Sequence, residues 1–266
     1  MVHPDLDLVQ SEQEGGTLKV EQIRELQHHL ALTPFEARFR MALLLRFEEA
    51  HTSAANALLK TLEEPPAQVI LVLTAESPEV LLPTIVSRCE VLRLRPLPLD
   101  RVEKGLQKKW NCPEQQARFL AHLSGGRPGV AYQYLTQPEL LEERQSSLEE
   151  LRQMLLSNRV ERFAYADTQS KNKEALRNLL LNWLSFWRDC LLKASDSISP
   201  ITNLDYAEVI GWLAETLGTA DSYQQVSNIE VAIQQLSRNI NPRLLCENYL
   251  LDLPYLKAIP SSAISS

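Results

Sequence analysis

The sequence has little of what marks several common protein classes. Its four cysteines include no Cys-x-x-Cys pair, so we expect reduced thiols rather than a zinc site or a disulfide framework. No apolar run approaches the roughly 20 residues of a membrane-spanning helix. The acidic, polar start of the chain is not a signal peptide. These features predict a cytoplasmic protein with no metal ion, no other cofactor and no membrane contact.

Positive charge is also scarce. The 266 residues include 27 Lys and Arg against 34 Asp and Glu, giving a formal net charge of −7. A domain that holds nucleic acid by bulk electrostatics is normally basic, so that class is disfavoured. A local basic stripe, or DNA contact shared with partner subunits, stays open. The modest patch of Arg101, Lys104, Lys108 and Lys109 is interpreted as a solvated helix face rather than a DNA contact.

Only eight glycines occur against fifteen prolines, and 6% of residues are aromatic, which fits a helix-rich chain. In the first third, strands alternate with helices. Strands are predicted over Asp5–Gln10, Met41–Phe47, Val69–Thr74 and Val91–Leu94. Helices are predicted over Val20–Leu32, Ser53–Leu62 and Glu79–Val86. This alternation predicts a mostly parallel α/β sheet. Val69–Thr74 is continuously apolar and β-branched, which predicts a strand covered on both faces.

After Pro98 the pattern becomes helical. Helices are predicted over Asp100–Trp110, Pro113–Leu123 and Val130–Leu135, and over nearly all of Glu139–Leu253. In Lys173–Lys193, Trp183 and Trp187 are predicted to lie in the core, with an intersubunit contact as the alternative. Asn241 and Pro242 form a strong helix start. Residues Ile259–Ser266 are expected to be a frayed tail.

The stretch Ser53–Arg93 organises the chain as helix, double proline, strand, second helix and Ser87-Arg88-Cys89. Ser53 is predicted to cap the first helix and Pro65-Pro66 to end it. The acids Glu63 and Glu64 suit a helix C-terminus poorly, which suggests a contact with a partner. From spacing alone, Arg88 is interpreted as a surface arginine paired with Glu90 or with a helix end. Cys89 is interpreted as a small buried hydrophobe.

Two segments within this stretch are recognisable. AANALLKTLEEPP at 54–66, followed by a strand and TIVSRC at 84–89, resembles the clamp-loader branch of the AAA+ ATPases in bacterial DNA polymerase III. HPDL near the start and SRNINPRLLCENYLLDLP near the end agree. The resemblance implies a truncated AAA+ α/β core at 1–97, a small helical lid at 98–138 and an all-helical collar at 139–266. It also implies partners: gamma/tau and delta subunits in a ring, and indirectly the sliding clamp and primed DNA.

The family's nucleotide-binding elements are missing from this sequence. The phosphate loop GxxxxGK[ST] occurs nowhere. The acidic pair that handles magnesium in hydrolysing members falls, on gapless placement, at Leu45 and Arg46, and an arginine there would repel the ion. Glu48 and Glu49 provide a shifted alternative. Three origins stay open: a truncated or mis-started gene, an excised piece of a longer protein, or a lineage that lost its phosphate-binding front end.

The family strand that carries the phosphate loop lies between the strands corresponding to Val69–Thr74 and Val91–Leu94. Without it, two strand edges inside the sheet have no partner. We therefore expect these two strands to lie apart, or the N-terminal domain to be weakly ordered.

With the nucleotide-binding elements missing, Arg88 is the candidate functional residue that the resemblance still implies. In the family, the SRC arginine reaches across the subunit interface to the γ-phosphate of ATP on a neighbour, a task that suits a planar, permanently charged group. The resemblance implies that Arg88 acts in trans, supported by Ser87 and Cys89, in a subunit that is no enzyme by itself. The alternatives are a gamma/tau-type ATPase whose phosphate loop is missing from this chain, and a pure oligomerisation scaffold.

Overall fold

The computed structural model describes residues 3–11, 16–238 and 240–259. The backbone forms two compact units, Met1–Leu94 and Arg95–Ser266. The predicted tail falls outside the described residues from position 260 onward. Within the described residues, no helix is both long enough and apolar enough to cross a bilayer.

The first unit contains a three-stranded parallel sheet in the order β1, β2, β3, which confirms the predicted α/β arrangement. The strands are β1 (Leu6–Val9), β2 (Arg40–Leu44) and β3 (Val69–Leu73). The helices are α1 (Val20–Leu30), α2 (Thr52–Glu63) and α3 (Pro83–Val86). In register, Leu6 pairs with Met41 and Met41 pairs with Ile70.

Apolar residues of α1 and α2 pack on one face of this sheet. Leu26 and Leu58 are buried there against Ala42 and Leu44 of β2. On the other face Ile70 and Val72 are 40% and 37% exposed. The prediction that β3 is covered on both faces is therefore wrong. The apolar run reflects residue type alone, whereas exposure in a strand alternates with the side-chain direction.

The predicted strand Val91–Leu94 does not form, and its residues are exposed, Leu94 by 96%. A strand requires a neighbouring strand to accept and donate its backbone hydrogen bonds. Among the described residues, β3 pairs only with β2, and no strand stands beside Val91–Leu94. The sequence of Val91–Leu94 is therefore insufficient to make the segment a strand.

Two other predicted elements are shorter than expected. β2 stops at Leu44 because Arg46 adopts a left-handed conformation with φ of 49°, and Phe47–Glu49 then forms one 3-10 turn. The predicted helix Glu79–Val86 is split into a 3-10 turn at Pro78–Val80 and α3. Extended backbone at Leu81 separates the two pieces.

The second unit is helical. Its first helices are α4 (Leu99–Trp110), α5 (Glu114–Leu123) and α6 (Pro128–Thr136), around a small core. They are followed by α7 (Glu139–Leu156), α8 (Arg159–Gln169), α9 (Lys173–Ala194), α10 (Ala207–Ser237, interrupted at Gly218) and α11 (Pro242–Leu251). Trp183 and Trp187 are fully buried, which confirms core packing. Asn241 caps α11 as predicted, accepting the N–H of Arg243 at 3.0 Å. The division into lid and collar at residue 138 stays a prediction.

Candidate functional site

Arg88 lies on a surface turn that directly follows α3. Its backbone N–H donates to the carbonyl of Ile85 at 3.0 Å, and the N–H of Cys89 donates to Val86 at 3.2 Å. Ile85 is 1% exposed and packs in the core of the first unit. The buried side chain of Ile85 therefore anchors the turn in the core, while Arg88 lies at the surface.

The guanidinium of Arg88 has three contacts within the first unit. Nη1 donates to the carbonyl of Thr84 at 3.0 Å and to Oγ of Ser87 at 3.4 Å. Nη2 forms an ion pair with Oε1 of Glu63, the last residue of α2, at 2.5 Å. The expected pairing with Glu90 is thus wrong, and the helix-end alternative is confirmed. About a third of the Arg88 side chain remains exposed.

Glu63 is the site residue whose role sequence reasoning missed. α2 ends at Glu63, ahead of Pro65 as predicted, and leaves this acid beside the unpaired carbonyls of the helix end. The poor fit to the helix dipole was the signal in the sequence, but it did not name Arg88 as the partner. At the other end of α2, the N-cap is His51 rather than Ser53. The helix begins at Thr52, and His51 Nδ1 accepts the N–H of Ser53 at 3.3 Å.

The two residues beside Arg88 have supporting positions. Ser87 Oγ donates to the carbonyl of Thr84 at 3.2 Å. Cys89 is half-buried against the core of the first unit, and this burial raises the pKa of its thiol. At neutral pH the thiol is therefore protonated and a poor nucleophile. This environment agrees with the interpretation of Cys89 as a small hydrophobe.

Comparison with known proteins identifies the family. A family profile described as "DNA polymerase III, delta subunit" matches residues 1–98. The DNA polymerase III subunit delta' of Bacillus subtilis is 38% identical over 122 residues, which cover 46% of this chain and 36% of that protein. The subunit delta' of Pseudomonas aeruginosa is 31% identical over 225 residues, which cover 82% of this chain and 66% of that protein. The chain belongs to the delta'-like subunits of the DNA polymerase III clamp loader.

This delta'-like chain spans about a third and about two thirds of the length of those two relatives. A solved structure of a DNA polymerase III gamma-subunit-related protein from Thermotoga maritima is also similar. It has 23% identity and a TM-score of 0.47, over 94% of this chain and 83% of the other.

In this delta'-like chain, the end of β2 holds the position at which the clamp-loader resemblance places a magnesium-handling pair. The N–H of Arg46 donates to Oγ1 of Thr74 at 3.0 Å, and Arg46 Nε forms an ion pair with Glu49 at 3.4 Å. The carbonyl of Thr74 also accepts the N–H of Phe47 at 2.8 Å. Thr74 thus fixes the turn after β2. Among residues 3–11, 16–238 and 240–259, no cluster of three or more His, Cys, Asp or Glu has a geometry that suits a metal ion.

Proposed function

We propose that this delta'-like chain is a non-hydrolysing subunit of the DNA polymerase III clamp loader that supplies Arg88 in trans. The receiving site is the ATP site of a neighbouring gamma/tau subunit, in a ring that also contains delta. In this role the chain is no enzyme by itself and needs no cofactor of its own. It acts in the cytoplasm, helping to couple ATP hydrolysis to loading of the sliding clamp on primed DNA.

The observation that carries the proposal is the way Arg88 is presented. The turn beneath it is anchored by buried Ile85, and the guanidinium is partly exposed at the surface. Nε of Arg88 has no hydrogen-bond partner in the part of the chain that the structure describes. A neighbouring phosphate can therefore reach the Nε–H donor of this positively charged guanidinium.

One feature of the described residues supports the absence of hydrolysis by this chain. At the end of β2, the position of a magnesium ligand is taken by the cation Arg46, already paired with Glu49. These residues favour the in-trans role over the alternative of a gamma/tau-type ATPase. They leave the pure scaffold as the competing function.

The experiment is a reconstituted clamp loader with DNA-stimulated ATPase as the readout. Arg88→Ala is expected to lower turnover at the site facing it by roughly 10³-fold or more, the effect of losing an arginine finger. Arg88→Lys is expected to stay defective, because an ammonium lacks the planar fork of donors. Arg93→Ala is the matched control: Arg93 is another exposed arginine, paired with Glu79 at 3.2 Å, and its loss should leave the rate unchanged. An unchanged rate in Arg88→Ala leaves only the scaffold role.

A further inference from the structure

Glu63 occupies an unfavourable place unless a cation compensates it. The last carbonyls of a helix carry partial negative charge, and α2 ends with two acids, Glu63 and the C-cap residue Glu64. Arg88 supplies a cation to one of them only, with Nη2 lying 2.5 Å from Oε1 of Glu63. Glu64 forms no ion pair within the described part of the chain. Of these two neighbouring acids, Glu63 is thus the one that contacts Arg88.

We propose that Glu63 is a positioning residue for Arg88, an inference that rests on the proposed function of Arg88. Two acceptors on different helices hold the guanidinium: Glu63 on α2 binds Nη2, and Thr84 on α3 binds Nη1. Two such contacts restrict the rotation of a planar group, so its remaining donors point in a fixed direction. An arginine whose side chain is already ordered before it meets the phosphate loses less conformational freedom when it binds.

The strength of the ion pair between Glu63 and Arg88 decides whether Glu63 orients Arg88 or keeps it from a phosphate. The side chains of Arg88 and Glu63 are 35% and 49% exposed. An ion pair between exposed side chains changes an equilibrium by no more than about five-fold. An arginine finger changes the rate by roughly 10³- to 10⁵-fold through its phosphate contact. Glu63 is therefore too weak a partner to keep Arg88 from a phosphate. Its contact orients the arginine and does not inhibit it.

The kinetic test compares two isosteric losses of one negative charge in the reconstituted loader. Glu63→Gln is expected to lower kcat at the neighbouring ATP site by about two- to five-fold, with KM for ATP unchanged. Glu64→Gln, at the same helix end, should match the wild-type loader. In an Arg88→Ala background, Glu63→Gln should have no further effect, because Glu63 acts only through Arg88. A faster rate in Glu63→Gln, or an equal loss in both backgrounds, overturns the proposal.

A second measurement is independent of ATPase activity. In the full chain, ¹⁵N relaxation of the Arg88 Nε–H group reports how ordered the side chain is, with its signal assigned by its loss in Arg88→Lys. The order parameter should fall in Glu63→Gln and stay unchanged in Glu64→Gln. Equal order in wild type and Glu63→Gln overturns the positioning role. If Arg88→Ala leaves the loader's ATPase unchanged, the proposed function fails, whereas the relaxation data still decide whether Glu63 orders Arg88.

Discussion

Arg144 on α7 binds Asp205 through both of its terminal nitrogens, at 2.7 and 2.8 Å. Its Nη2 also donates to Oδ1 of Asn203 at 2.6 Å, and the arginine is almost fully buried. A bidentate pair of this kind is the strong form of a charge-assisted hydrogen bond. It joins two segments that lie 61 residues apart in the chain. The second unit thus depends on a polar clamp as well as on its apolar core.

Arg144→Met should destabilise the second unit by about 2 kcal/mol. Removing one partner of a buried pair costs more than that, but Asp205 is a third exposed and water can solvate it in the variant. Arg152→Met is the control, because its pair with Glu149, one turn away on the same helix, is partly exposed and worth less than about 0.5 kcal/mol. Chemical unfolding of both variants measures the difference. Equal stability losses would contradict a structural role for the clamp.

Gly126 should not tolerate alanine, whereas Gly129 should. Gly126 has a φ of +79°, and an added Cβ would overlap the carbonyl oxygen of Leu97. Its own carbonyl accepts the N–H of Leu97 at 2.7 Å, so the two backbones cannot move apart without losing a bond. Gly126→Ala is expected to cost about 3 kcal/mol. Gly129, at the start of α6, has open space around it, and Gly129→Ala should be neutral or slightly stabilising in thermal unfolding.

Asp5 should make the stability of the first unit depend on acid pH. It accepts the backbone N–H groups of Phe35, Ala37 and Glu36, which lower its pKa from 3.8 to about 2. The folded-state pKa lies below the unfolded one, so this stabilisation is complete above about pH 4 and is lost as pH falls toward 2. Asp5→Asn should be less stable at neutral pH and lack this dependence. Unfolding curves of the two proteins that stay parallel from pH 7 to pH 2 would contradict this.

β3 should exchange its amide hydrogens faster than α9. It is the edge of the sheet, and Ile70 and Val72 are exposed, so local opening breaks few buried contacts. The part of α9 around Trp183 and Trp187 lies in the main core of the second unit. Hydrogen exchange of the full chain under native conditions measures both. Exchange in Val69–Leu73 as slow as in α9 would show that the edge is protected, and weak order of this domain would then be wrong.

The local sequence pattern predicts most of the helices and strands, because each has a characteristic spacing of apolar side chains. It does not predict which strands or side chains contact each other, because contacts between distant residues leave little trace in a single sequence. Val91–Leu94 is a predicted strand, but within the described part of the chain no strand lies beside it to pair with. Glu63 shows a misfit to its helix, yet only the folded chain shows that Arg88 relieves it. The same holds for the backbone N–H groups that surround Asp5.

The sequence also located the candidate site better than it described the site's surroundings. TIVSRC marked Arg88 through a family resemblance, and the structure places this residue at the surface on an anchored turn. The residues that hold the guanidinium, Glu63 and Thr84, come from the tertiary arrangement of α2 and α3. The motif identifies the candidate side chain, whereas the packing of the helices around it determines its orientation.

Cryo-electron microscopy of an assembled loader bound to primed DNA and a non-hydrolysable ATP analogue would show directly whether Arg88 acts in trans. We predict an Arg88 guanidinium nitrogen about 3 Å from a γ-phosphate oxygen in the neighbouring gamma/tau site. A closed neighbouring site in which Arg88 points away, with another residue on the γ-phosphate, would contradict it.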